Sequence, residues 1–413
     1  MSFAGKADRA VQQITAGGDV PGIIALCVGY VLSQFYRSFL AVLVPYLSNE
    51  LAMTPADLAY ASGAWFATFA LMQFPVGAWL DRYGPRRTAA FLHAIAGAGG
   101  AALFAAAQSP MQVIIAMGLI GIGCAPILMA SFYLFARSYS AASFATLGST
   151  FIAVGSLGNI AGSAPMASVV EIFGWRFSLW MLAAMTLATA FVILVVVRDP
   201  KAEQPGDSVH AEGYLSLLKI RALWPILPCI FLGYAVAAGI RGLWVGPYLR
   251  DVHGLGATGI GHAALAMAIA LSLGALFYGP MDRLFNSRKW VVFAGNAVVV
   301  AAAALMAVEP QMPVGAATTL FFVIGLFGAS YAVQMAHGRA FIPAHMTGRG
   351  VTLMNFFSIG GTGVMQFVTG RLVDGLGDAG DWPAAYSALF AFYAIALAMV
   401  LAIYLLSRDA KPA

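Results

Sequence analysis

Twelve long stretches of this chain are nearly free of ionisable side chains, and their length constrains the fold more than any motif does. They run approximately over 22–47, 57–80, 88–107, 111–136, 144–171 and 176–197. After a break they resume at 222–249, 258–281, 290–308, 312–338, 350–373 and 383–407. About 20 apolar residues cross the ~30 Å hydrocarbon core of a bilayer as a helix. Helices keep every backbone polar group paired where no water can reach it. The expected fold is therefore an all-α membrane protein of twelve transmembrane helices. Only 9% of the 413 residues are charged, against roughly 25% in soluble proteins. That excludes a water-soluble enzyme, a disordered chain and a nucleic-acid-binding domain, and leaves little sequence for a second soluble domain. The first stretch is too long for a signal-peptide core and lacks a small-residue cleavage site, so it is expected to be retained.

The net charge of +5 is mostly topology. With the N-terminus inside, seventeen of the 22 Lys and Arg fall on the cytoplasmic side, three outside (Arg176, Arg250, Arg371) and two within spans (Arg37, Arg241). Cytoplasmic loops carry such an excess. Both termini are thus expected to be cytoplasmic, the chain lying in the cell inner membrane, with the bilayer and not a nucleic acid as its charged surroundings. Cys27, Cys124 and Cys229 sit singly in apolar runs, with neither the pairing of a disulfide framework nor the spacing of a zinc site.

Residues 198–221 hold eight charges and are expected to link two six-helix halves, 1–197 and 222–413. An offset of 202 superimposes Pro45-Tyr46-Leu47 on Pro247-Tyr248-Leu249, Arg86-Arg87 on Arg288-Lys289, and Arg137 on Arg339. Halves with an even number of spans enter from the same side. They are parallel repeats, and a central site would lie between them near the midplane.

The loop after the second span reads Gly77-Ala-Trp-Leu-Asp81-Arg82-Tyr-Gly84-Pro-Arg86-Arg87. This G-x-x-x-D-R-x-G-x-R-R pattern resembles the signature of the major facilitator superfamily, and the likeness in layout covers essentially the whole chain. Locally, Gly77 permits close helix approach, Gly84 a tight turn, and Asp81 pairing with a cation or a helix N-terminus. The second copy, Gly279-Pro-Met-Asp282-Arg283, is one residue shorter before its acid. The resemblance implies a cytoplasmic latch, with Arg137 and Arg339 placed to pair with Asp81 and Asp282. The alternative is that basic loops merely enforce topology.

An ionisable residue inside a span is costly and marks function by default. All 17 acids fall at span ends or in loops, so the two interior charges, Arg37 and Arg241, have no carboxylate of their own. Charge balance then favours an anionic substrate, which a planar guanidinium grips in bidentate fashion. Arg37 lies eight residues before Pro45-Tyr46-Leu47. This is similar to the first helix of the organophosphate/phosphate exchangers, and the resemblance implies that Arg37 binds an anionic headgroup; an arginine snorkelling outward or bonded to carbonyls is the alternative. In that family the second-half arginine would stand at Gly239. Arg241 is displaced by two residues, about 200° around a helix. It reaches the cavity if the helix is broken at Gly239 or Gly242; otherwise its role is at the surface or between helices. Two departures weaken a sugar-phosphate assignment more than an organic-anion one: Ser38 replaces the family's second basic residue, and Asn159 is the nearest polar group to its missing fifth-helix histidine.

Trp65, Tyr133, Asn159, Trp244, Tyr331, Gln334, Asn355 and Gln366 are the aromatic and amide candidates for the cavity lining, with ordinary helix packing as the alternative for each. Gly158-x-x-x-Gly162 reads as a close helix crossing. His93, His262 and His337 are solitary, so structural roles are expected, with His337 assigned to the latch. His262 and Met267 are five apart and miss the facing distance, so no metal site or cofactor is expected.

The expected function is secondary active or facilitative transport of a small organic anion by alternating access, not catalysis, in a monomer. Without a mid-membrane carboxylate, exchange or facilitated diffusion is favoured over proton symport. The rivals are a proton-coupled exporter of drugs or cations, against which Met117 stands where exporters carry an arginine, and a transporter-shaped ligand sensor.

Overall fold

The computed structural model describes residues 20–139, 141–200, 214–343, 346–377 and 380–411. Lys6, Arg9, His210, His345 and most of the expected linker lie outside the described residues. Among the described residues there is helix and no strand. Nine helices are long and apolar enough to cross a bilayer, and two bent pairs raise the number to eleven. The longest, Pro55–Ala105, has 51 residues, or ~76 Å at 1.5 Å per residue, more than twice the bilayer core. It turns at Gly84 (φ 80°, ψ 165°) and makes two crossings, which gives the twelve spans of the sequence in two six-helix halves.

The bends are placed where the sequence is polar or small. The first span is not one helix. It runs Val20–Phe35 and resumes at Leu40–Leu51, bent by 51°. Across the break the backbone tightens to i→i+3 hydrogen bonds, Arg37 N–H to Gln34 (3.3 Å) and Ser38 N–H to Phe35 (3.0 Å). The Ser38 hydroxyl also donates to the Phe35 carbonyl (3.1 Å), a back-bond that bends helices. The fifth span presses into this break. A Cβ on Gly158 would stand 2.0 Å from the Val31 carbonyl oxygen, and one on Gly162 2.4 Å from the Ser38 hydroxyl. Gly158-x-x-x-Gly162 is therefore the close crossing its spacing suggests.

The seventh span (Arg221–His253) solves the matching problem differently. Between the α-helices Leu227–Gly239 and Val245–His253 lies a π-helical turn, Ile240–Trp244. One residue more is wound into that turn, and the Val245 N–H reaches back five residues to the Ile240 carbonyl. The Gln366 side-chain amide donates to the Gly239 carbonyl (3.1 Å). The first and seventh spans then meet backbone to backbone: a Cβ on Gly242 would be 2.8 Å from the Arg37 carbonyl oxygen, and one on Gly246 2.2 Å from that of Ala41.

Among the described residues, hydrogen bonds join the halves at mid-span and on the face away from the Asp81–Arg87 loop. Arg250 donates to Ser48, Thr258 to Glu171, and Arg371 to Tyr60 (3.1 Å). Arg250 is itself held by Asp251 (2.5 Å), whose other oxygen accepts from Tyr386 (2.5 Å).

Candidate functional site

The bends bring both interior arginines to the seam between the halves. Arg37 sits in the break of the first span and is 8% exposed; Arg241 sits in the π turn and is 3% exposed. The π turn, not a break at Gly239 or Gly242, places Arg241 there. Its Nη1 donates to Asn159 Oδ1 of the fifth span, in the other half, at 2.6 Å. Arg37 lies over the rings of Trp65 (5.0 Å) and Phe69 (4.8 Å), which stack on one another at 5.0 Å. These contacts stabilise a cation by ~2 kcal/mol where water is excluded, yet they satisfy none of its five N–H donors. The Nε of each arginine is buried without a hydrogen-bond partner. The two guanidiniums are close enough to repel one another, and Tyr30, Tyr234 and Tyr331 lie within the same electrostatic neighbourhood. Among the described residues neither arginine has a carboxylate within 4 Å. Two buried cations with unused donors in a medium of low dielectric are costly, and an anion between them removes that cost.

The other predicted lining residues divide. Trp65 and Asn159 touch the arginines. Tyr331 donates to Asn355 (2.8 Å) and packs against Tyr234 (5.6 Å), so these two also belong to the seam. Tyr133 does not: its ring lies under Arg137 (4.6 Å). Trp244 and Gln334 are packed inside the second half. Trp244 is fully buried and donates to Thr369 (3.1 Å); Gln334 is 1% exposed and donates to Ser330 (2.9 Å). Sequence reasoning missed Phe69, Tyr30, Gln34 and Tyr234. The signal for Phe69 was its i+4 spacing from Trp65. Tyr30, Gln34 and Arg37 likewise follow at helical spacing on one face, and Gln34 donates to Tyr30 (2.9 Å).

The signature loop departs from its expected pairings. Gly77 marks no close approach, since a Cβ there would meet open space within 4 Å. Asp81 is exposed and has no ion pair with Arg137 among the described residues. Arg137 instead stacks on Tyr133. Asp282 pairs with Arg288 (3.3 Å) and not with Arg339, which is exposed. Arg82 lies over Tyr83 (5.3 Å). The Gly84 turn has a different partner: the Asp199 carboxylate packs against the Gly84 Cα and accepts from the Arg86 N–H (2.9 Å). Arg87 is exposed.

In the second half Asp409 accepts from the Ser287 hydroxyl (2.6 Å) and the Lys289 N–H (3.0 Å). Burial raises the Asp409 pKa, but these two hydrogen bonds, together with the nearby His337 and the Ala410 N–H, outweigh it and hold the carboxyl below its ordinary value. His337 bonds Tyr404 (2.5 Å) and the Arg408 carbonyl (2.9 Å), so it fastens the end of the last span and takes no part in a latch between halves. His93 bonds the Gly123 carbonyl (3.1 Å), while His262 is exposed. Among the described residues no group of three or more His, Cys, Asp or Glu could hold a metal ion.

The Major Facilitator Superfamily model matches residues 26–357. The chain belongs to the major facilitator superfamily. It is 26% identical over 254 residues to the "Methylenomycin A resistance protein" of Bacillus subtilis (strain 168), covering 59% of this chain but only half the length of that relative. It is 22% identical over 335 residues to the "Galacturonate transporter" of Dickeya chrysanthemi, covering 76% of this chain and 93% of the relative. Among solved structures, the bacterial homolog to the human lysosomal transporter Spinster, inward-facing and occupied, superimposes with a TM-score of 0.75 at 18% identity. That match covers 93% of this chain and 96% of the other; at such identity the likeness concerns the fold. The chain is an integral membrane transporter and not an enzyme.

Proposed function

We propose that this transporter carries a small organic anion by alternating access, bound between Arg37 and Arg241. The observation that carries the reading is the pair of buried guanidiniums at the seam, each with an unpartnered Nε and neither with a carboxylate among the described residues. The galacturonate transporter among the relatives handles a substrate of this chemistry, a sugar carrying a carboxylate. Exchange or facilitated diffusion fits better than proton symport, because among the described residues no acid pairs with the arginines to carry a proton. The seventeen-to-three split of basic residues supports a cytoplasmic placement of the Asp81–Arg87 face in the inner membrane. The bridges on the opposite face then support a state closed to the outside. Nothing in the site needs a second copy of the chain, so the working unit is a monomer.

The methylenomycin resistance relative favours a second reading, an exporter of drugs. Uptake and export by proteoliposomes separate the two. The panel is galacturonate, succinate, glycerol 3-phosphate and a hydrophobic cation. The anion reading predicts saturable movement of at least one anion and none of the cation; movement of the cation alone would promote the exporter.

A further inference from the structure

Arg241 reaches the seam only because the seventh span winds a π turn over Ile240–Trp244, and the eleventh span holds that turn at both ends. Before the turn, Gln366 donates to the Gly239 carbonyl (3.1 Å); at its last residue, the Trp244 indole N–H donates to Thr369 (3.1 Å). Gln366 and Thr369 are three apart, one helical turn, and both are fully buried. On the other side of the same turn, Arg241 extends to Asn159 and Gly242 rests on the Arg37 carbonyl.

A π turn is a rare, strained alternative to the α-helical turn and persists where contacts from outside hold it. The Gln366 amide supplies such a contact at the Gly239 carbonyl, and its own Oε1 has no partner, so the Gly239 contact is the hydrogen bond that holds this side chain. Without it the turn regains α-helical register. That rotates the far limb of the span against the near limb by about 100° and takes Arg241 off Asn159.

We infer that Gln366 is a positioning residue for the anion site: it fixes the π turn that presents Arg241 to the other half. This rests on the reading of Arg241 as an anion contact, and the test separates the two. The half-saturating galacturonate concentration is measured in proteoliposomes for the wild type, Arg241→Ala, Gln366→Met and the double variant. Each single change is expected to raise it tenfold or more with less than a twofold fall in maximal rate. The double variant is expected to stay within threefold of Arg241→Ala alone, because Gln366 acts through that arginine. Gln366→His, whose ring N–H can still donate to the Gly239 carbonyl, is expected to remain within threefold of the wild type, and it carries the test if Gln366→Met folds poorly. An unchanged value in Arg241→Ala overturns the role of Arg241 and this inference with it. A raised value in Arg241→Ala beside an unchanged one in Gln366→Met overturns the inference alone, as would effects that multiply in the double variant or a tenfold loss in Gln366→His.

Discussion

The first and seventh spans occupy equivalent places in the two halves, and each must bury an arginine at mid-membrane. They do so by opposite distortions. The first span tightens to i→i+3 bonds and breaks by 51° at Arg37, stabilised from within by the Ser38 hydroxyl and from outside by glycines of the fifth span. The seventh span widens into a π turn at Arg241 and borrows a donor from the eleventh. The surroundings differ as well. Arg37 is held by aromatic faces, with its Nε–H unpartnered among the described residues, whereas Arg241 already spends one donor on Asn159. On the proposed reading, Arg37 is thus the arginine with more to give an incoming anion, while Arg241 bonds Asn159 across the seam.

Four substitutions test this contrast, in descending order of effect. Gly246→Ala forces a Cβ to 2.2 Å from the Ala41 carbonyl oxygen. Overpacking of that kind costs about 1–3 kcal/mol, enough to shift a two-state equilibrium by about 5- to 150-fold. It should prise the two distorted spans apart, so that a cysteine placed at Ser48 becomes more reactive to an impermeant maleimide. Phe69→Leu keeps the bulk but removes one ring beneath Arg37, a loss of about 1 kcal/mol. The half-saturating anion concentration should rise about fivefold, with Arg241→Ala adding its effect independently. Ser38→Ala removes the back-bond that stabilises the break, worth about 1 kcal/mol. It should lower the thermal midpoint and leave the order of preferred anions unchanged; a changed order would move Ser38 into the site.

Asp409→Asn lies far from both spans and should have the smallest effect, a slightly lower thermal midpoint with normal transport. The sign of its pH dependence follows from a folded pKa below the ordinary 3.8. The contribution of the carboxylate is complete above the unfolded pKa and is lost as the pH falls through the depressed folded one. The gap between wild type and Asp409→Asn should therefore close in strong acid and be constant above about pH 5.

Much of this was legible in the sequence, and the exceptions have physical causes. Span number and arrangement follow from hydropathy and the 202-residue offset, because bilayer thickness leaves a helix few options. Arg37 stood out because nothing in its span could neutralise it. The break beside it did not, since Tyr36-Arg37-Ser38-Phe39 contains neither Gly nor Pro; the glycines responsible are on another helix, more than 120 residues away. The π turn was equally hidden, although the two-residue displacement of Arg241 from its expected place was its trace in the sequence. The expected latch pairings are absent among the described residues for a different reason. Asp81, Arg137 and Arg339 are at a face where a water-exposed pairing gains little, and among the described residues Arg137 lies over Tyr133 and Asp282 pairs with Arg288 instead.

The central claim is that the unneutralised guanidinium of Arg37 is where the anion binds. Its most direct test is counterflow of the preferred anion in proteoliposomes containing the wild type, Arg37→Lys or Arg37→Ala. Charge-assisted bidentate contacts predict that Arg37→Ala abolishes counterflow while Arg37→Lys keeps a weakened fraction, the point charge surviving without the fork. Counterflow by Arg37→Ala at the wild-type rate and affinity would contradict the claim.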